Sequence, residues 1–320
     1  MASAVEKRAR AAPRIQNVLY TTDFSACSQA AAPYVAAIAR RFGATVHLVH
    51  VLPPKLVAIG EYGLCIPEFE ANRKPAVRKK LHDVCRSGLF DGILSSRTLE
   101  IADLGEIRRV VAELVTMMNI DLIVLGTHGF RGIKHFVIGS VAEQLVRGVT
   151  CPVLTIRPAL KQTALANGRV DRIVYATDFS PASLDALRHA VFFTEAFDAH
   201  IRLLHAVHQG DAVSEAGLIA RAKEKLHEFV ASERHIRYPV AAQAATPAYL
   251  ILRLSKAWKA DLIIMGSHRA SAIAAHSPFA VAHEVICKAP CPVLMAHAAV
   301  ALSKERSLAE VRQEGRVLCS

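Results

Sequence analysis

The stretch GTHGFRGIKHFVIGSVAE, residues 126–143, holds Gly126, Gly129, Gly132 and Gly139, four of the sixteen glycines in a chain of 320 residues. Residues without a Cβ let backbone N–H groups close on an anion. A helix opening at Ser140 would aim its unpaired N–H groups and the positive end of its dipole at the same point, with the Ser140 hydroxyl as a further donor. The chemistry this favours is the holding of phosphate; a tight, ligand-free turn is the other reading of the glycines alone. Arg131 and Lys134 share the loop and either neutralise phosphate charge or stand solvated. The chain has no G-x-x-x-x-G-K-[ST], and no G-x-G-x-x-G follows its first strand, which disfavours P-loop and dinucleotide-binding folds. His128 and His268 fall at corresponding places, but neither has a second ligand at a recognisable spacing, so both read as loop-packing residues. No nucleophile–base pair stands out.

The elements that would position this loop are written twice. YTTDFSACS begins at Tyr20 and YATDFSPAS at Tyr175, and the two Asp residues are 178 − 23 = 155 apart. DLIVLG and DLIIMG lie 261 − 121 = 140 apart, as do the two CPVL segments, 291 − 151 = 140. The chain therefore reads as a duplicated domain whose second copy lost residues in between. In the first copy, strands are expected at 17–22, 45–52, 97–102, 121–126 and 152–157, alternating with helices. Ser25 is the expected cap of the first helix, Pro33 a kink or a later start within it, and Gly43 its end. Residues 57–74 are expected to be loop, with a helix following. In the second copy Ser180-Pro181 is a cap followed by proline at the first helical position, Pro247 to about Lys259 is a helix, and Trp258 a packed helix residue. The expected organisation is a basic extension 1–14, a domain 15–158, a linker 159–169, a domain 170–297 and a tail 298–320. Alternating strands and helices imply parallel sheets with right-handed crossovers. Ligands then sit beyond the carboxyl ends of the strands, where Asp23, Val51 and Gly126 all fall.

A formal net charge of +11, with 39 Lys and Arg against 28 Asp and Glu, attracts anions. Apart from KRARAAPR near the start, the cations are spread and lack aromatic companions, so nucleic acid is not the expected partner. The seven cysteines, residues 27, 65, 85, 151, 287, 291 and 319, include no C-x-x-C pair and read as reduced thiols. No run approaches the roughly 18 apolar residues of a membrane span, and the basic start is not followed by an apolar core, so the expected compartment is the cytoplasm.

The spacing Gly126-x2-Gly129-x9-Gly139-Ser140, between DLIVLG and VAEQLVRGVTCPVLTIR, resembles the ATP-binding signature of the universal stress protein family. VLYTTDFS, LVHV and CPVL fit the same family. The resemblance covers nearly all of 15–158 and, more loosely, 170–297. It implies two tandem five-stranded parallel α/β sheets, Rossmann-like in the adenine-nucleotide alpha-hydrolase manner. It further implies that Asp23 and Val51 border an adenine and that Gly126 sits by the ribose. Gly129, Gly139, Ser140 and the Val141 N–H would hold the phosphates, with Thr127, Arg131 and Gly132 in the same loop. Asp23 read alone is equally a helix-capping carboxylate. In the second copy Gly129, Gly139 and Ser140 are replaced by Arg269, Phe279 and Ala280, and Pro278 removes a backbone donor. The expectation is one ATP, with or without Mg, in the first domain. The second domain would be a structural or regulatory partner, paired to the first within the chain through the last strands. The implied role is a stress or signalling module with an unidentified protein partner, with at most slow ATP hydrolysis. The rival reading is a nucleotide-independent protein that engages an acidic partner.

Overall fold

Strand follows apolar run along both copies, and the strands assemble into a single sheet. The computed structural model describes residues 13–52, 56–59, 62–65, 67–101, 107–127, 138–160, 163–207, 215–229, 239–267 and 278–297. In the first half β1 (Asn17–Thr21), β2 (Thr45–Leu52), β5 (Ser95–Ile101), β6 (Leu122–Gly126) and β7 (Val153–Ile156) alternate with helices. These helices are α1 (Ala26–Gln29), α2 (Ala32–Phe42), α3 (Pro67–Cys85), α4 (Ile107–Met117) and α5 (Ser140–Gly148). The second half has β8 (Arg172–Ala176), β9 (His200–Val207), β10 (Val240–Ala244), β11 (Leu262–Ser267) and β12 (Val293–His297). Its helices are α6 (Pro181–Phe197), α7 (Glu215–Phe229), α8 (Pro247–Ala257) and α9 (Pro278–Lys288). Strand order across the sheet is β10-β9-β8-β11-β12-β7-β6-β1-β2-β5. Each half is a five-stranded parallel sheet, and the two fuse where β7 and β12 run antiparallel, with Leu154 opposite Leu294.

Helices cover both faces, which is why the strands are apolar throughout instead of alternating. One face buries Tyr20, Val35, Ile38, Leu48 and Val124 with their second-half counterparts Tyr175, Ala190, Phe193 and Leu203. The other buries Leu19, Val111, Leu114, Ile123, Leu145 and Val146 with Val174, Ile251, Ile263 and Val285. Both cores therefore run unbroken across the β7–β12 seam. The seam is reinforced by Thr155, whose hydroxyl donates to the Val293 carbonyl at 3.1 Å, and by Arg157, which donates to the Cys287 carbonyl at 2.6 Å. Phe42 stacks on Phe192, with ring centroids 5.1 Å apart. The connecting stretch is itself packed: Leu165 is fully buried and Thr163 bonds the Tyr34 hydroxyl at 3.0 Å.

Two details refine the sequence reading. Pro33 lies in the first turn of α2, after a break that isolates α1 as a single turn. Residues 57–74, expected as loop, instead contribute the hairpin β3 (Leu56–Ile59) with β4 (Tyr62–Cys65) and the first turns of α3, which runs through Pro75. That hairpin pairs only with itself, so it leaves no imprint on the repeat from which the other strands were read.

Candidate functional site

β1 and β6 are neighbours, with Tyr20 opposite Val124. From β1 the chain turns into α1 and α2 on one face, and from β6 it turns into α5 on the other. Their carboxyl ends thus flank the crevice where strand order reverses, the place an open parallel sheet offers a ligand.

On the β1 side the Thr-Asp-Phe-Ser segment is built as a set of interlocked local bonds. Thr22 extends the ladder by donating its N–H to the Val49 carbonyl at 2.9 Å. Its hydroxyl accepts the Phe24 N–H at 3.0 Å, holding Phe24 at φ +62°, a left-handed geometry uncommon for a bulky residue. The Phe24 ring stacks on His50, centroids 4.8 Å apart. His50 Nδ1 lies 2.8 Å from the Thr22 carbonyl; a carbonyl only accepts, so this nitrogen carries the proton. The Asp23 carboxylate accepts the Ser25 N–H at 3.0 Å, and Ser25 caps α1 by accepting the Ser28 N–H at 3.2 Å. Burial acts to raise the Asp23 pKa, but hydrogen bonds from the Ser25 side chain and backbone and from Ser28 outweigh it and hold the carboxyl below its ordinary range. Asp23 is exposed on the rim and ionised at neutral pH.

On the β6 side, a Cβ added to Gly126 would lie 2.5 Å from the Cys27 carbonyl oxygen. No side chain fits between this strand end and the α1 backbone. Thr127, fully buried, donates to the Ile156 carbonyl at 3.0 Å and accepts the Gly139 N–H at 2.7 Å. That last bond joins the two ends of the glycine-rich loop, so the start of α5 is pinned to the end of β6. Gly139 is the extended N-cap, with φ −64° and ψ 145°, and offers no side chain to the first turn. The N–H groups of Ser140 and Val141 therefore lie in a first turn with no side-chain cap, and both residues are exposed. Glu143 adds a negative charge to this turn and pairs with Arg147 at 3.1 Å. Val51 stands partly buried at the end of β2.

The structure thus brings Asp23, Gly126, Thr127, Gly139, Ser140 and Val141 to the ends of two adjacent strands, with Val51 on the next. Gly129, Arg131 and Gly132, together with His128 and Lys134, lie outside the described residues. Among the described residues no three His, Cys, Asp or Glu side chains gather to hold a metal ion, and no helix is long and apolar enough to cross a membrane.

The second half reproduces most of the β1 side. Phe179 sits at φ +64°, its N–H donating to the Thr177 hydroxyl at 2.9 Å, and Ser180 donates to Asp178 at 3.0 Å. His205 Nδ1 lies 2.8 Å from the Thr177 carbonyl. The Tyr175 hydroxyl donates to the Ser183 carbonyl at 2.6 Å, as Tyr20 does to Ser28 at 2.7 Å. A Cβ on Gly266 would meet Ala182 and Ser183 backbone at 2.6 Å. Two things differ. The Ser183 hydroxyl donates to the Asp178 carboxylate and accepts the Asp178 N–H, where the Ser28 hydroxyl pairs with that of Thr22. And α9 begins at Pro278, so Phe279, the counterpart of Gly139, lies inside the helix instead of serving as an extended cap. The spacing of Tyr, Thr, Asp, Phe and the two Ser residues in both nine-residue repeats, with His50 and His205 also 205 − 50 = 155 apart, was the signal for this bonded set. The glycine recurs too, closing DLIVLG and DLIIMG, but that spacing does not reveal the helix backbone it meets.

The model of the Universal stress protein family matches residues 14–157 and again 169–297. Over 143 residues the chain is 32% identical to Universal stress protein A homolog 1 of Coxiella burnetii, covering 44% of this chain and 95% of that protein. Among solved structures, a universal stress protein from Archaeoglobus fulgidus superposes with a TM-score of 0.67 at 22% identity, over 89% of this chain and 97% of that one. A putative universal stress protein from Pseudomonas aeruginosa gives 0.59 at 15% identity, over 89% and 94%.

Proposed function

The chain belongs to the universal stress protein family, and from that premise we propose that it is a nucleotide-dependent stress-response module that holds one ATP in its first domain, 15–158. The second domain, 170–297, is its structural partner, mimicking within one chain the pairing of two copies. The observation that carries this reading is the bond from Gly139 N–H to the Thr127 carbonyl. It sets the uncapped start of α5 against the β1–β6 crevice, where N–H groups and the helix dipole favour phosphate. Asp23 then accepts from the ribose or the adenine amino group, and Val51 forms an apolar wall. Gly126 sits by the ribose, with Thr127 buried beneath it as the anchor of the loop. Gly139, Ser140 and Val141 face the phosphates, with Gly129, Arg131 and Gly132 completing the loop. A divalent ion such as Mg would arrive with the triphosphate. The proposed setting is the cytoplasm, and hydrolysis of the bound ATP is slow or absent.

The test is nucleotide content per chain, by denaturing release and chromatography, together with calorimetric titration of ATP into stripped protein. One ATP per chain supports the reading. Two would show that Pro278 and Phe279 leave the second crevice open, and none at millimolar ATP would overturn it.

A further inference from the structure

The duplication provides an internal control at the opposite ends of the strands. In the first half the Asp121 carboxylate accepts the Gln16 and Asn17 N–H groups at 2.9 and 3.0 Å. In the second, Asp261 accepts those of Asp171 and Arg172, both at 2.9 Å. The helix ends also match: Met118 and Trp258 both donate to the carbonyl four residues back at 2.9 Å, and the next residue is left-handed in each, Asn119 at φ +51° and Lys259 at φ +54°. Backbone and brace are therefore conserved between the two amino-end rims while the side chains are not. Asn17, His47, Thr116, Met118 and Asn119 become Arg172, Arg202, Lys256, Trp258 and Lys259, and Arg14 is matched by Arg169. With histidine neutral, the positions flanking the brace carry Arg14 and Asp121 in the first half, and Arg169, Arg172, Arg202, Lys256 and Lys259 against Asp171 and Asp261 in the second. The helix ends beside them carry Arg40 and Arg41 in the first half and Glu195 and Asp198 in the second, so the contrast lies in where the cations gather around Trp258.

These cations form one cluster. The Arg202 guanidinium lies 4.4 Å over the Trp258 ring, and its Nε is buried with no hydrogen-bond partner among the described residues, so stacking positions it. Arg172 Nη1 reaches the Trp258 carbonyl at 3.4 Å, and Arg169 pairs with Asp171 at 3.0 Å. Arg169, Arg172, Lys256 and Lys259 are exposed. Lys259 occupies a left-handed position that suits the asparagine of the first half far better, so the fold has no use for lysine there.

We infer that this rim is a docking surface for an acidic polypeptide segment. Exposed guanidinium forks match carboxylates, and the charge is compact, centred on one aromatic. An extended phosphate track would need a longer stripe, and Arg202 already covers one face of the ring on which a base would stack. No large apolar side chain of the described residues projects from this rim to enter a bilayer. The inference is independent of nucleotide binding.

Trp258 is the sole tryptophan, so its emission reports on the rim directly. Nucleotide-free full-length protein is titrated with a deca-glutamate peptide, following emission and, in parallel, heat. The expected result is saturable binding that weakens steeply from about 50 to about 300 mM salt. It should fall about tenfold in the triple variant Arg172→Asn, Lys256→Thr, Lys259→Asn, from three exposed ion pairs at ordinary strength. These substitutions restore residues that the same backbone carries in the first half, and an unchanged melting curve verifies the fold. Absence of both signals at millimolar peptide, or equal binding by the variant, overturns the inference. So does tighter binding of an oligonucleotide of equal charge or of anionic vesicles.

Discussion

The two halves agree at the end of their first strands and disagree at the end of their fourth. Tyr20 and Tyr175, Thr22 and Thr177, Phe24 and Phe179, Ser25 and Ser180 make the same bonds in both. Gly126 and Gly266 press against the same helix backbone. Gly139 and Phe279 do not correspond in structure, because one is an extended cap and the other lies within a helix. What both halves keep is what the fold requires. By that criterion Gly126 belongs first to the fold.

The sharpest way to break this comparison is at the paired glycines. Gly126→Ala and Gly266→Ala should each destabilise by about 3 kcal/mol, since an added Cβ overlaps fixed backbone and not a flexible side chain; urea unfolding measures it. If both substitutions were silent, the close approach of strand end and helix backbone would not be what keeps these glycines. Next comes Gly139→Phe, which copies the second half into the first. It should lower ATP affinity at least about a hundredfold, near 3 kcal/mol, while leaving the urea midpoint almost unchanged.

A smaller effect separates the halves by pH. His189 on α6 stands where α2 has Tyr34, 189 − 155 = 34. Burial first, then the neighbouring Arg188 charge, press its pKa down to about 4. The unfolded chain takes up a proton near pH ~6.5 and the folded one does not, so stability is complete above about 6.5 and is lost as pH falls toward 4. His189→Tyr should flatten that limb of the stability–pH curve. The smallest expected change is Tyr20→Phe or Tyr175→Phe. Each should cost about 1 kcal/mol for one buried hydrogen bond, equally in the two halves, by thermal melting.

Much of this was legible in the residues. The repeat, the five strands per half and their parallel order follow from apolar runs that recur at fixed offsets. Ser180-Pro181 marks its helix start without help from the fold. The glycine cluster pointed to the end of β6, but not to why Gly126 and Gly266 both persist: the reason is tertiary contact with helix backbone 126 − 27 = 99 and 266 − 182 = 84 residues away, at Cys27 of α1 and Ala182 of α6. The hairpin at Leu56–Cys65 was missed because its two short strands satisfy only one another. Pro278, expected just before the helix, is instead the first residue of α9, a placement that the sequence alone does not give. The basic rim was invisible because Arg172, Arg202 and Lys256 are far apart in sequence and meet only where β8 and β9 begin and α8 ends.

The antiparallel seam between β7 and β12 has a consequence for geography. Because the two halves run oppositely, the carboxyl edge of the first continues into the amino edge of the second. The crevice beside β6 and the basic rim on β8 therefore share one edge of the sheet, separated by β7, β12 and β11. Four strand spacings amount to about 19 Å, the reach of roughly six extended residues. A single short stretch of a visiting chain, anchored at the rim by an acidic end, would therefore reach as far as that crevice.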